Sequence, residues 1–178
     1  MALYPCINND DFEKLLVGSI TKINSFVDRL RGSAFANCVD LTDVNLPNVT
    51  EMGSTIFGYC TSLEKVYLPN VTLTGSNLFI NCTSLKEVIF NNINVIPTGS
   101  FLGCTSFDTL VLRNNTMVTS VGTQPFTNTQ FWSTGNGGKL YVPQALISTY
   151  QNNTTWSNVL ALNANNQILA IEGSPYEN

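Results

Sequence analysis

"FGYCTSLEKVYLPNV", residues 57–71, decides the fold because it comes back. Phe35, Phe57, Phe79 and Phe101 stand 22 residues apart, and Cys38, Cys60, Cys82 and Cys104 follow them by three. Leu41, Leu63, Leu85 and Phe107 come next in each unit, then Val44, Val66, Val88 and Leu110, then Leu46, Leu68, Phe90 and Leu112. The spacing L-x-x-V-x-L predicts a short strand with alternate side chains turned inward. Asn48, Asn70, Asn92 and Asn114 form one more column, followed by Val49, Val71 and Ile93.

The pattern extends beyond its four clear copies. Val27 and Leu30 precede Phe35 as Val49 and Met52 precede Phe57, and Val118, Val121 and Phe126 repeat the spacing later, with Thr129 in the cysteine place. "KLYVP" then echoes the strand through Leu140, Val142 and Pro143. The expectation is about six coils of 22 residues, four of them regular. A unit this short cannot bury its apolar face alone, so neighbouring units must stack around one core. Strands in register then form a parallel sheet on one side. The opposite side, "GSTIFGYCTS" and its relatives, is too short and too rich in Gly, Ser and Thr for a long helix, so a tight turn or 3₁₀ segment is expected.

The motif F-x-x-C-T-S-L-x-x-V-x-L-P-N-V resembles the BspA-type leucine-rich repeat, a family found on bacterial surface proteins and on some protist and phage proteins. The likeness covers roughly residues 19–143, and "GKLYVPQALISTYQNNTTWSNV" is similar to the segment that often closes such repeats. It implies a leucine-rich repeat solenoid and, because the family is defined by its scaffold, little about function. Residues 1–18 read as an N-terminal capping helix, with Asn9 or Asp10 at its start, Phe12, Leu15 and Leu16 on its apolar side and Gly18 at its end. Residues 144–178 read as the C-terminal cap: a helical turn in "PQALISTYQ", a last strand in "QILAIEG", and Tyr150 and Trp156 sealing the final coil.

Composition narrows the partners. Only 11% of the 178 residues are charged, and Asn (23) and Thr (20) supply the polar surface instead. A net charge of −4 with eight scattered Lys and Arg argues against nucleic acid. No run of eighteen apolar residues predicts a membrane span, and the first residues lack the basic and apolar regions of a signal peptide. The chain is therefore read as a piece of a longer surface or tail protein, or as one not exported by that route, with a phage virion or the cytoplasm as alternatives.

Chemistry is sparse. A thiol in each coil gives a line of sulfurs about 5 Å apart, whereas zinc needs four ligands around one point, so the cysteine ladder is read as core and no metal or cofactor is expected. Cys6 lies outside that ladder. The sequence has no histidine, which removes Ser-His and Cys-His pairs. Two exposed columns alternate in sign, Glu64, Lys86, Asp108 and Asp43, Lys65, Glu87, which reads as charge pairing between neighbouring strands. The Asn column is placed to satisfy backbone groups of the adjacent turn. A third outward column, Asn45, Tyr67, Ile89, Val111 and Tyr141, forms an apolar and aromatic stripe flanked by Lys65 and Glu87, either a partner site or ordinary strand composition.

The leading expectation is a non-enzymatic module that offers this sheet face to a protein or glycan at a bacterial or phage surface. A structural spacer or cap in a larger protein is the alternative. A hydrolase using Glu87 and Asp108 ranks last.

Overall fold

The computed structural model describes residues 22–24, 27–130, 137–161 and 167–177. Its strands in chain order are β1 (Lys22–Asn24), β2 (Arg29–Leu30), β3 (Asp43–Asn45), β4 (Glu51–Met52), β5 (Lys65–Leu68) and β6 (Leu73–Thr74). They continue with β7 (Glu87–Phe90), β8 (Val95–Ile96), β9 (Thr109–Leu112), β10 (Ser120–Val121), β11 (Lys139–Val142) and β12 (Gln167–Ala170). A 3₁₀ turn, Gln144–Leu146, leads into α1 (Ile147–Asn152) and α2 (Thr154–Ala161). The proposed capping helix of residues 1–18 and Cys6 lie outside the described residues.

The chain winds as a leucine-rich repeat solenoid. One side is a seven-stranded parallel sheet in the order β1-β3-β5-β7-β9-β11-β12. Repeat positions face one another in register: Val44 opposite Val66, Val66 opposite Val88, Val88 opposite Leu110. A second side carries two-residue strands, β2-β4-β6 and β8-β10, also parallel. Among the described residues four coils keep the regular 22-residue step, the number of regular coils expected. Beyond β9 the crossover to β11 is longer, and α1 and α2 then replace the turns before β12, so the 22-residue step is lost.

The back of each coil is a run of turns rather than a 3₁₀ helix, and it accounts for its backbone donors in an alternating way. In the second coil, Thr55, Phe57 and Tyr59 donate their N–H groups to Ser76, Leu78 and Ile80 of the next coil at 2.8–2.9 Å. Between them, Gly58 and Cys60 donate within the coil, to the carbonyls three residues back. This alternation needs left-handed backbone twice per coil, at Ser33 and Asn37, Thr55 and Tyr59, Asn77 and Asn81, Gly99 and Gly103. Asn and Gly tolerate that conformation, which explains much of the composition of this side. At Gly103 a Cβ would also lie 2.1 Å from the Asn81 Oδ1.

Inside, the phenylalanines stack. Ring centroids are 5.5 Å apart for Phe35 and Phe57, 5.7 Å for Phe57 and Phe79, 5.5 Å for Phe79 and Phe101, and 5.3 Å for Phe101 and Phe126. The strand residues Leu63, Val66 and Leu68 of the same coil are fully or almost fully buried opposite them. Each such side chain contributes roughly 1.5–3 kcal/mol of burial, realised only when a neighbouring coil covers it.

Helices α1 and α2 pack on the last coil through a polar clamp inside an apolar cluster. The Val118 N–H donates to the Tyr150 phenol oxygen at 2.9 Å, and the Trp156 indole N–H donates to the Val118 carbonyl at 2.6 Å. Both rings are fully buried and meet edge to face at 5.3 Å. Two aromatic side chains from α1 and α2 thus satisfy both polar groups of one peptide residue. Burial pushes the Tyr150 phenol up to about 12.

Candidate functional site

Alternation along each strand turns Val44, Val66, Val88, Leu110 and Leu140 into the core. The residues on either side of them therefore line the outer face of the sheet: Lys65 and Tyr67, Glu87 and Ile89, Thr109 and Val111, Lys139 and Tyr141. Asn45 is exposed, and Tyr67, Ile89 and Tyr141 are half-buried. Val111 departs from the expected open stripe: it is fully buried, and Thr109 beside it retains only 7% of its exposure.

The cover comes from residues 171–177, which follow the last strand, β12. They turn back across the sheet as a strap. Ser174 donates its N–H to the Ile171 carbonyl, Gly173 takes φ +76, and Glu177 donates its N–H to the Ser174 carbonyl, closing a Ser-Pro-Tyr-Glu turn. Pro175 at the second position of that turn presets its φ. The turn delivers Tyr176 onto the face: its phenol donates to the Glu87 carboxylate on β7, and its ring meets Tyr141 on β11 edge to face at 4.7 Å. Val111 lies on the strand between those two anchors. Arg113 donates to the Tyr176 carbonyl at 2.7 Å, a third anchor. Burial, then the neighbouring Glu87 carboxylate, push the Tyr176 phenol well above its ordinary value. Glu172 at the root of the strap accepts the Gln144 N–H at 2.8 Å.

Where the strap ends, the face opens. A groove of about 420 Å³ is walled by Lys65, Tyr67, Glu87 and Ile89 from the sheet, by Arg113, and by Pro175 and Tyr176 of the strap. It combines aromatic and aliphatic walls with two cationic groups and one carboxylate. The repeat pattern puts Lys65, Tyr67, Glu87 and Ile89 on this face and carries no signal for the strap. Gly173 and Ser174-Pro175 are readable as turn signals, but no periodicity says where a turn outside the repeat will dock.

The charge columns pair across strands. Lys86 lies 2.9 Å from Glu64 and Lys65 3.8 Å from Glu87. The first is a surface pair of modest energy, on the order of 0–1 kcal/mol, whereas in the second the Glu87 side chain is mostly covered. The two carboxylates considered for hydrolysis are engaged: Glu87 by Tyr176 and Lys65, Asp108 by the Thr109 hydroxyl at 2.7 Å. A larger concavity of about 780 Å³ lies along β2, β4 and β6, but its Arg29 and Glu51 are paired with each other at 2.5 Å.

Cys38, Cys60, Cys82 and Cys104 are buried thiols outside any disulfide, and three of them have hydrogen bonds to the preceding coil. The Cys60, Cys82 and Cys104 thiols donate to the carbonyls of Phe35, Phe57 and Phe79 in the preceding coil at 2.9–3.0 Å. Burial raises the Cys82 thiol well above its ordinary value. In the fifth coil the Thr129 hydroxyl donates at 2.6 Å to Phe126 of its own coil. The amides of Asn70 and Asn92 donate to the Pro47 and Pro69 carbonyls at 2.7 and 2.9 Å, and that of Asn114 to the Ile93 carbonyl at 2.7 Å; Asn48 begins the same column. Among the described residues no group of three His, Cys, Asp or Glu converges on a metal position. No helix among them is long and apolar enough to cross a membrane.

Comparison with known proteins agrees with this architecture. The family model for the BspA type leucine rich repeat region matches residues 6–134 in six copies. The leucine-rich repeat protein of T. pallidum is 26% identical over 57% of this chain and 48% of its own, with a TM-score of 0.50. A leucine rich cell surface protein from Faecalibacterium prausnitzii superposes on 88% of this chain and 49% of its own at 17% identity, with a TM-score of 0.51. The chain thus spans about half the length of these two solved structures. No curated protein matches it. With a 22-residue register, a Phe and Cys ladder and a parallel sheet all in one continuous winding, this chain belongs to the BspA-type leucine-rich repeat family.

Proposed function

We propose that this chain is a non-catalytic binding module that presents the outer face of its main sheet to a protein partner at a cell surface. The observation that carries the reading is the groove beside Tyr67 and Ile89: half-buried aromatic and aliphatic side chains, rimmed by Lys65, Glu87 and Arg113, on the parallel sheet. An aromatic anchor inside a charged rim is the anatomy of a protein-binding hot spot. Leucine-rich repeats generally serve protein interaction without catalysis, and the Faecalibacterium prausnitzii relative is described as a cell surface protein, which supports the location.

A binding screen of the purified chain against extracellular-matrix proteins and a glycan panel tests this. A protein hit should lose affinity by about tenfold or more in Tyr67→Ser, with the thermal midpoint nearly unchanged. Unchanged affinity removes the groove as the site, and a hit among glycans alone replaces the protein reading.

A further inference from the structure

We propose that residues 171–177 occupy part of the binding face as a built-in ligand, and that the covered surface, Glu87, Val111, Arg113 and Tyr141, accepts a turn-forming Pro-Tyr peptide segment from a partner once the strap leaves. The proposal rests on the reading of the sheet face as a protein-binding surface and names the chemistry of its partner.

The strap is bound as a ligand would be. A phenol meets a carboxylate, a ring meets a ring, a backbone carbonyl meets a guanidinium, and an aliphatic side chain is sealed beneath them. All three anchors converge on the single residue Tyr176. The strap is rooted by the Ile171 N–H on the Val142 carbonyl and by Glu172 accepting the Gln144 N–H; beyond that root it bonds to itself, Ser174 to Ile171, Glu177 to Ser174, and the Gly173 N–H to the Glu177 carboxylate at 3.0 Å. Past that root, residues 173–177 keep their own turn and hold the body through Tyr176, so they can detach without unwinding a coil. The solenoid core beneath does not depend on it, since Val66, Val88 and Leu110 are buried on the opposite side of the strands. The groove also continues past Tyr176 towards Lys65 and Tyr67, so displacing the strap joins two subsites into one longer surface.

A strap tethered to its site competes at an effective concentration on the order of millimolar, so an added peptide should bind weakly until the tether's anchor is removed. The probe is a synthetic peptide of residues 172–178, EGSPYEN, labelled at its N-terminus and titrated by fluorescence anisotropy; EGSPSEN is the control. Full-length chain carrying Tyr176→Ser should bind EGSPYEN at least about tenfold more tightly than the intact chain. The gain should vanish with EGSPSEN and in the Tyr176→Ser, Glu87→Gln double variant. Equal binding by intact and Tyr176→Ser chains of the same thermal midpoint, or equal binding of both peptides, would overturn the proposal.

Hydrogen exchange on the intact chain decides the matter independently of how Tyr176→Ser folds. Excess EGSPYEN should speed exchange of the residue 173–177 amides and EGSPSEN should not; no difference between the peptides also overturns it. Failure here leaves the groove reading standing, because that one is read out through Tyr67→Ser and a different partner.

Discussion

Tyr150→Phe removes one oxygen atom from the polar clamp of α1 and α2 on the last coil, and its consequence can be worked out in two independent ways. The phenol oxygen accepts the buried Val118 N–H at 2.9 Å, and the ring is fully buried, so no water replaces it. Leaving a buried N–H without a partner costs about 1–3 kcal/mol. A working value of about 2 kcal/mol corresponds to a thermal midpoint lowered by roughly 4–8 °C in a chain of this size. The second route is pH. The phenol titrates near 10 in the unfolded chain and at about 12 in the folded one. Well below pH 10 both states are protonated and the contribution is fully present. As pH rises from 10 towards 12 the unfolded chain ionises first, and stability falls with a slope approaching roughly 1.4 kcal/mol per unit. A phenylalanine at this position cannot ionise, so the deficit of the variant should shrink by about 1 kcal/mol between pH 10 and pH 11. Urea denaturation followed by tryptophan fluorescence at pH 7.5, 9, 10 and 11 measures both effects, since Trp156 sits against the ring. Equal stability of the two proteins at pH 7.5 would refute the clamp. A deficit unchanged from pH 9 to pH 11 would refute the assignment of the alkaline limb to Tyr150.

Phe79→Ala should cost about 3–5 kcal/mol, because the ring is fully buried between Phe57 and Phe101 and its removal opens a gap in the middle of the stack; Phe79→Leu should cost clearly less in the same denaturation assay. Cys82→Ser should be at least as stable as Cys82→Ala, because the Phe57 carbonyl already accepts the thiol at 2.9 Å and a hydroxyl can inherit that bond. If Ser is instead lower than Ala by about 1–3 kcal/mol, the thiol is only a hydrophobe and the hydrogen-bond reading fails.

How much of this was legible in the sequence depends on what a 22-residue period can encode. The inward columns Phe79, Leu85, Val88 and Phe90 follow from alternation and repetition, because every coil meets the same neighbours one coil away. The same translational logic placed the Asn column beside the carbonyls of the preceding coil. The Cys column was readable as core, yet its direction was not: that each thiol reaches the Phe of the coil before it depends on the left-handed turns at positions such as Asn77 and Asn81. Beyond β9 the repeat loses its 22-residue step, and there periodicity alone no longer says where the chain runs.

The candidate site divides along the same line. Lys65, Tyr67, Glu87 and Ile89 could be put on one face from sequence, since strand period and repeat period together fix their columns. Val111 and Tyr141 were put there too, but their surroundings could not be. A residue outside the repeat, such as Tyr176, has no column, and its contacts lie 35 and 89 residues away, at Tyr141 and Glu87. Solenoid, register and core are written in the repeat, because those interactions recur between near-identical neighbours. Which part of the sheet face stays open is a matter of folding in three dimensions, because it depends on where one non-repeating segment finds a carboxylate, a guanidinium and a ring together.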